Sequence, residues 1–291
     1  MKSGLLLLSL FSFALTLTAQ PQPVTRLPLN VLSFNIRYNN PQDGVNAWPN
    51  RKELAAKVFT DYNVDFAGLQ EALAGQIADL QDQLPAYGWI GVGRDDGKFK
   101  GEFSPIFYNK QKFSLDKQGT FWLSETPEVP GSKHWDAAIT RVATYGIFSD
   151  IRTGKKLFVI NTHFDHIGEQ ARQNSAKLLI RKIRELNEGL PVVLTGDFNT
   201  PENAPSIQTL TGDADFKLNN TERVSENAHT GGNSTFNGFK TDQRGPVIDF
   251  VFVGPGLKVE RHDYLPIMKE EVFVSDHWPV LTRLSLALTN P

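Results

Sequence analysis

The chain has no cysteine among its 291 residues. Disulfide staples and a lipid-modified cysteine anchor are both excluded, so stability must come from a hydrophobic core. An excess of positive charge is missing as well: 30 Lys and Arg stand against 32 Asp and Glu, for a formal net charge of −2. A protein that coats polynucleotides is expected to present a strongly basic surface, and this composition does not supply one. No low-complexity linker or short internal repeat divides the sequence, which argues for one domain rather than an array. The apolar run at residues 5–17 falls short of the roughly 20 residues needed to span a bilayer, and polar Gln20-Pro21-Gln22-Pro23 follows it directly.

What is present at the N-terminus is Lys2, that apolar run, and Ala19 as a plausible cleavage residue. Residues 1–19 are therefore expected to be a cleaved export signal, with the mature protein secreted or periplasmic and without a transmembrane segment. Removing them takes away Lys2 and no acid, so 29 basic residues face 32 acidic ones and the charge becomes −3. About 270 residues remain, enough for one large domain with a sizeable core. That domain is expected to span residues 25–288 and to act as a monomer.

Two helices are predicted. Asn50-Arg51-Lys52-Glu53 places a capping asparagine three residues before a glutamate, and Leu54, Ala55, Val58 and Phe59 recur at helical spacing up to Asp61. Residues 168–188 carry the longest helical pattern, with Ala171, Leu178, Leu179 and Ile183 on one side. Short β patterns lie at residues 89–92, 104–108, 142–148, 157–161, 247–253, 259–264 and 280–286. Runs such as Leu157-Phe158-Val159-Ile160 and Val192-Val193-Leu194 read as buried on both faces. The pattern implies a mixed α/β domain with two sheets, each covered by a helix on its outer face.

Polar residues gather where the apolar runs stop. Gly196-Asp197-Phe198-Asn199 follows Val192-Val193-Leu194, and an aspartate and an asparagine two apart at a strand end can reach one pocket. Asn35 closes the alternating run that begins at Leu29, and Glu71 closes Phe66-Ala67-Gly68-Leu69-Gln70. Thr162-His163, Arg141, Val247-Ile248-Asp249-Phe250 and Ser275-Asp276-His277 complete the set. Read singly, each has a plain alternative: Glu71 as a solvated carboxylate, Asp197 and Asn199 as turn formers, His163 as a core histidine, Arg141 as half of a salt bridge, and His277 as a turn residue. Together they offer what a site for phosphate and a hard metal ion needs, which is oxygen ligands, amides and histidine.

In this order, and over nearly the whole chain after the leader, the motifs resemble the endonuclease/exonuclease/phosphatase superfamily, which includes pancreatic deoxyribonuclease, abasic-site endonucleases, inositol-phosphate phosphatases and secreted sphingomyelinases. The resemblance implies a four-layer α/β/β/α sandwich of the deoxyribonuclease I type, with its site at one rim of the paired sheets. It implies Glu71 as the main metal carboxylate, with Asn35 supplying an amide oxygen and Asp276 close to the ion. An oxygen-only set suits Mg²⁺ better than Zn²⁺, and Mn²⁺ or Ca²⁺ could occupy the same oxygens. Asp197 is expected to orient or deprotonate the attacking water and Asn199 to hold a phosphate oxygen. His277 is expected to be oriented by Asp249 and to compete with Asp197 as general base, and His163 and Arg141 to stabilise charge on phosphate.

The glycine-rich loop at residues 91–102 is expected to bring Arg94, Lys98 or Lys100 to a remote part of the substrate, and Trp135 and Phe236 to form a rim. Asp165, His166 and Arg172 are further candidates. One departure concerns Ile36-Arg37-Tyr38, which lacks the acid that abasic-site nucleases place two residues after the asparagine. The wording there and at Gly119-Thr120-Phe121-Trp122-Leu123-Ser124 looks like a secreted bacterial branch. The expected activity is hydrolysis of a phosphodiester or phosphomonoester, small-molecule or lipid-linked. An extracellular DNase is the first alternative, with nucleic acid less favoured as a partner, and a non-catalytic binding module is the second.

Overall fold

A computed structural model describes residues 25–242 and 245–288. The expected export signal lies outside the described residues, and no helix within them is long and apolar enough to cross a membrane. In chain order the elements are β1 (Arg26–Asn35), α1 (Trp48–Asp61), β2 (Phe66–Gln70), α2 (Ala74–Gln83), β3 (Tyr87–Ile90), β4 (Ile106–Asn109), β5 (Phe113–Trp122), β6 (Val142–Asp150), β7 (Lys156–His163) and α3 (Glu169–Leu186). There follow β8 (Val192–Asp197), α4 (Pro205–Gly212), β9 (Asn219–Asn220), α5 (Thr221–Val224), β10 (Asp249–Val253), β11 (Leu257–Tyr264), β12 (Met268–Lys269), β13 (Val272–Phe273) and β14 (Val280–Ala287).

Twelve of these strands form two six-stranded sheets, ordered β11-β14-β1-β2-β4-β3 and β5-β6-β7-β8-β10-β9. The parallel pairs β1/β2 and β7/β8 are joined through α1 and α3, since a parallel pair needs a crossover. Each sheet buries one face under helices: Phe34, Ala55, Phe59, Leu69 and Ile77 pack together on one side, and Phe158, Ile160, Leu179, Ile183 and Leu194 on the other. A third core of Leu29, Val31, Phe66, Phe148, Val159, Val193 and Val251 lies between the sheets. The result is the four-layer α/β/β/α sandwich.

The side-chain period of two explains how this sandwich makes a site. On β1, Leu27, Leu29 and Val31 enter the middle core, and the next two positions on the same face are Ser33 and Asn35. On β7 the inward series runs Leu157, Val159, then Asn161 and His163; on β8 it runs Val193, then Thr195 and Asp197. Each strand is thus apolar at depth and polar toward one rim. Hydrogen bonds between the sheets follow the polar part: Ser33 Oγ accepts from Gly196 N at 3.0 Å and Asn161 Oδ1 accepts from Gln70 Nε2 at 2.7 Å.

Several local expectations are corrected. Helix α1 begins at Trp48, not Asn50, with Pro49 in its first turn and no side-chain cap; proline's fixed φ suits that position and it has no N–H to satisfy. The long strand β5 and helix α2 were not foreseen. Asp249 opens β10 rather than ending a strand. Because β10 runs antiparallel to β8, with Asp249 opposite Asp197, a strand start and a strand end meet at the same rim.

Candidate active site

Asp197 is the hub of the rim. Its Oδ1 accepts from Asn199 N at 2.9 Å, and its Oδ2 accepts from Asn35 Nδ2 at 2.9 Å. That second oxygen lies 3.5 Å from His163 Nε2 and 3.9 Å from His277 Nε2. Burial, reinforced by the nearby Asp249 charge, pushes the Asp197 carboxyl up to about 7. His277 Nδ1 meets Asp249 Oδ2 at 2.8 Å. Burial opposes charge on His277, but Asp249, with Asp197 and Asp276 beyond it, outweighs that and holds the imidazole well above its ordinary pKa.

His163 has the opposite environment. Burial, and then the Arg141 cation, hold it well below its ordinary value, so it is neutral. Asn199 adopts a left-handed backbone, φ 50°, just past the strand end. From there its amide nitrogen donates to Phe164 O at 3.0 Å and meets His163 Nε2 at 2.9 Å. Both N–H groups are spent on the protein. Asn199 thus touches His163 and also lines the cavity where the sequence expected it to meet phosphate. Arg141 is 5 % exposed, and its Nε and Nη1 find no hydrogen-bond partner. A buried cation with orphaned donors at a cavity wall is matched to an anion.

The expected metal residues divide. Glu71, in a left-handed conformation at φ 60°, and Asp276 both line a cavity of about 420 Å³, together with Arg141, His163, Asp197 and His277. Asn35 lies beneath it and presents nitrogen rather than oxygen: Nδ2 donates to Glu71 Oε1 at 3.1 Å, while Oδ1 accepts from Arg37 N at 2.9 Å. That oxygen keeps a second lone pair beside the Arg37 amide. Asp276 is raised by burial, with the Glu71 charge adding to it. Glu71 and Asp276 offer carboxylate oxygens to the same cavity, and such donors fit a hard divalent cation. Asp197, Asp249 and His277 also bring ligand atoms within 4.8 Å of one another, a second grouping that could hold a metal ion.

Other candidates are redirected. Arg94 forms a two-pronged pair with Glu102, Nη1 to Oε2 at 2.6 Å and Nη2 to Oε1 at 3.0 Å. Lys98 and Lys100 are exposed and do not line the cavity; their backbone amides close the loop on Asp96 Oδ1 at 2.8 and 3.0 Å. Trp135, partly buried, packs against the second sheet's outer core and does not line the cavity. Asp165 accepts four backbone amides around residues 138–168 and Arg172 supports the same turn, so both are structural. His166 and Phe236 do reach the cavity. Sequence reasoning gave no role to Arg37, which lies 3.9 Å from Glu71 and 3.8 Å from Asp276, or to Glu102. Neither belongs to a motif; an Arg–Glu spacing of eight across a glycine-rich turn was the available signal for Glu102.

A family model for the endonuclease/exonuclease/phosphatase family matches residues 32–277. A solved endonuclease/exonuclease/phosphatase from Bacteroides vulgatus is 41 % identical with a TM-score of 0.86, over 89 % of this chain and 99 % of that one. A mannosyl-6-phosphatase from Bacteroides thetaiotaomicron is 38 % identical with a TM-score of 0.82, over 88 % and 99 %. An uncharacterised protein of Acanthamoeba polyphaga mimivirus is 25 % identical over 272 residues, 87 % of this chain and 98 % of that protein. With the family model spanning most of the chain and two solved structures, 41 % and 38 % identical, sharing its fold, the chain belongs to the endonuclease/exonuclease/phosphatase family of phosphoesterase hydrolases.

Proposed function

We propose that the chain is an exported, monomeric, Mg²⁺-dependent phosphoesterase that hydrolyses a small or lipid-linked phosphate ester by in-line attack of water on phosphorus. The observation that carries this reading is Asp197, raised to about 7, facing the His277–Asp249 pair on one side and the unpaired donors of Arg141 on the other. A carboxylate poised near neutrality suits proton removal from water, and Asp197 takes that role. His277, kept cationic by Asp249, stabilises charge on the phosphoryl group. Arg141, buried with unpaired donors, donates to its non-bridging oxygens. Glu71 and Asp276 would hold the cation, which would supply Lewis-acid stabilisation of developing charge. The leaving oxygen gains a proton, and the products are an alcohol and phosphate, or a phosphomonoester if the substrate is a diester. The 38 % identical mannosyl-6-phosphatase supports the monoester, and the apolar run at residues 5–17 supports export.

The test joins binding to turnover. EDTA should abolish hydrolysis of p-nitrophenyl phosphate or its bis-ester, and Mg²⁺ or Mn²⁺ should restore it. Glu71→Gln should weaken Mg²⁺ binding by at least about tenfold in calorimetry, the lower end of what losing a supporting contact costs. Full activity in EDTA would remove the metal from the reading. Nicking of supercoiled DNA at a rate matching the small esters would move the substrate to polynucleotide.

A further inference from the structure

Glu102 is a carboxylate in the wall of a phosphate cavity, where it works against anion binding. Its side chain is 18 % exposed and lines the same space as Arg141 and His166. It does not satisfy Arg141, whose Nη1 is 4.0 Å from Glu102 Oε2, beyond hydrogen-bond range, and which keeps unpaired donors. Its partner is Arg94, and that pair is built on a rigid turn. Trp122 Nε1 donates to Arg94 O at 2.6 Å, Arg94 N to Glu102 O at 3.1 Å, and Asp95 N to Lys100 O at 3.1 Å. Gly101, at φ 79°, permits the turn; a Cβ there would sit 2.6 Å from the Asp95 carboxylate. A surface ion pair would gain little from such fixing. A carboxylate has about four acceptor positions, and Arg94 takes two of them. The remaining lone pairs stay available at the cavity wall.

Resting on the phosphoesterase reading, we propose that Glu102 selects the substrate: it accepts hydrogen bonds from hydroxyl groups of a polyhydroxylated leaving group, such as a sugar phosphate, and repels a second phosphate. Hydroxyl-to-carboxylate bonds are short and strong in a water-poor site, and a hydroxyl-rich alcohol carries donors without carrying charge. A polynucleotide would bring a neighbouring phosphate toward the same carboxylate, and like charges there are costly. Arg94 is thus a positioning residue, consumed in aiming Glu102.

The experiment compares wild type and Glu102→Gln with Mg²⁺ on mannose 6-phosphate and on p-nitrophenyl phosphate. The ratio of kcat/KM for the sugar ester to that for the aryl ester should fall about tenfold or more in the variant, mainly through KM, on the scale of one lost bond to a charged group. An equal loss on both esters would overturn the proposal and leave Glu102 as a modifier of Arg141. Calorimetry keeps the two readings apart: wild type should bind mannose 6-phosphate more tightly than inorganic phosphate, and Glu102→Gln should lose that preference. A wild-type protein that turned over no ester would sink the phosphoesterase reading, while this binding difference would still decide the role of Glu102. If Glu102→Gln failed to fold, Glu102→Asp, which keeps the charge and withdraws the oxygens, should lower the same ratio, and an unchanged ratio there would overturn the proposal.

Discussion

Two histidines, His163 and His277, approach the same oxygen of Asp197 at 3.5 and 3.9 Å, and the surroundings assign them different charge states. Arg141 stands near one and Asp249 near the other, so one is neutral and one cationic although both are buried. Nitrogen-15 shifts of the two imidazoles at pH 7 would read this difference directly. His277→Ala is expected to lower turnover by about 10²-fold or more, the usual scale for losing an acid or base group. Asp249→Asn, which keeps the imidazole in place but removes the anion that charges it, should cost less. Wild-type rates in a folded His277→Ala would leave His277 as a packing residue.

Elements deliver these side chains, and α1 shows how much of that was legible. Its apolar spacing and its end near Asp61 were readable, because period and burial are written in the same residues. The role of Arg51 was not. It is fully buried and donates to Asn46 O at 2.7 Å, Arg37 O at 2.8 Å, Val274 O at 3.3 Å, and Ile36 O. Burial lowers its pKa to about 10. Its partners are backbone carbonyls, which no residue type marks, so sequence could not show that α1 ties the turn after β1 to the turn carrying Asp276 and His277. Glu102 was hidden for a similar reason, since its orientation depends on a turn. The motif residues were legible because strand alternation and chemistry coincide there. Arg51→Met should cost at least about 3 kcal/mol in urea unfolding, through carbonyls left without donors. A change under about 1 kcal/mol would mean that water replaces the guanidinium, as it can at exposed sites.

At the scale of the whole molecule, the site exists only if two separate sheets keep their relative register, because Glu71 follows a strand of one and Asp197 ends a strand of the other. The middle core of Val, Leu and Phe attracts the sheets but is tolerant of sliding. Asn161 supplies direction. Its Nδ2 donates to Leu69 O at 2.7 Å and Pro105 O at 3.0 Å, and its Oδ1 accepts from Gln70 Nε2 at 2.7 Å and Thr195 Oγ1 at 3.0 Å. The contact is close enough that Gly68 is required opposite it: a Cβ would meet Thr195 Oγ1 at 2.0 Å and Asn161 Oδ1 at 2.5 Å. Asn161→Leu keeps the branched shape and removes every one of those bonds. It should cost about 2–5 kcal/mol, the range for stranding several buried polar groups at once. More tellingly, kcat on a small aryl ester should fall at a temperature where circular dichroism shows the variant folded, because the rim carboxylates lose their spacing. Full activity in a folded Asn161→Leu would show that the apolar core alone sets the register, and that the polar belt serves only stability.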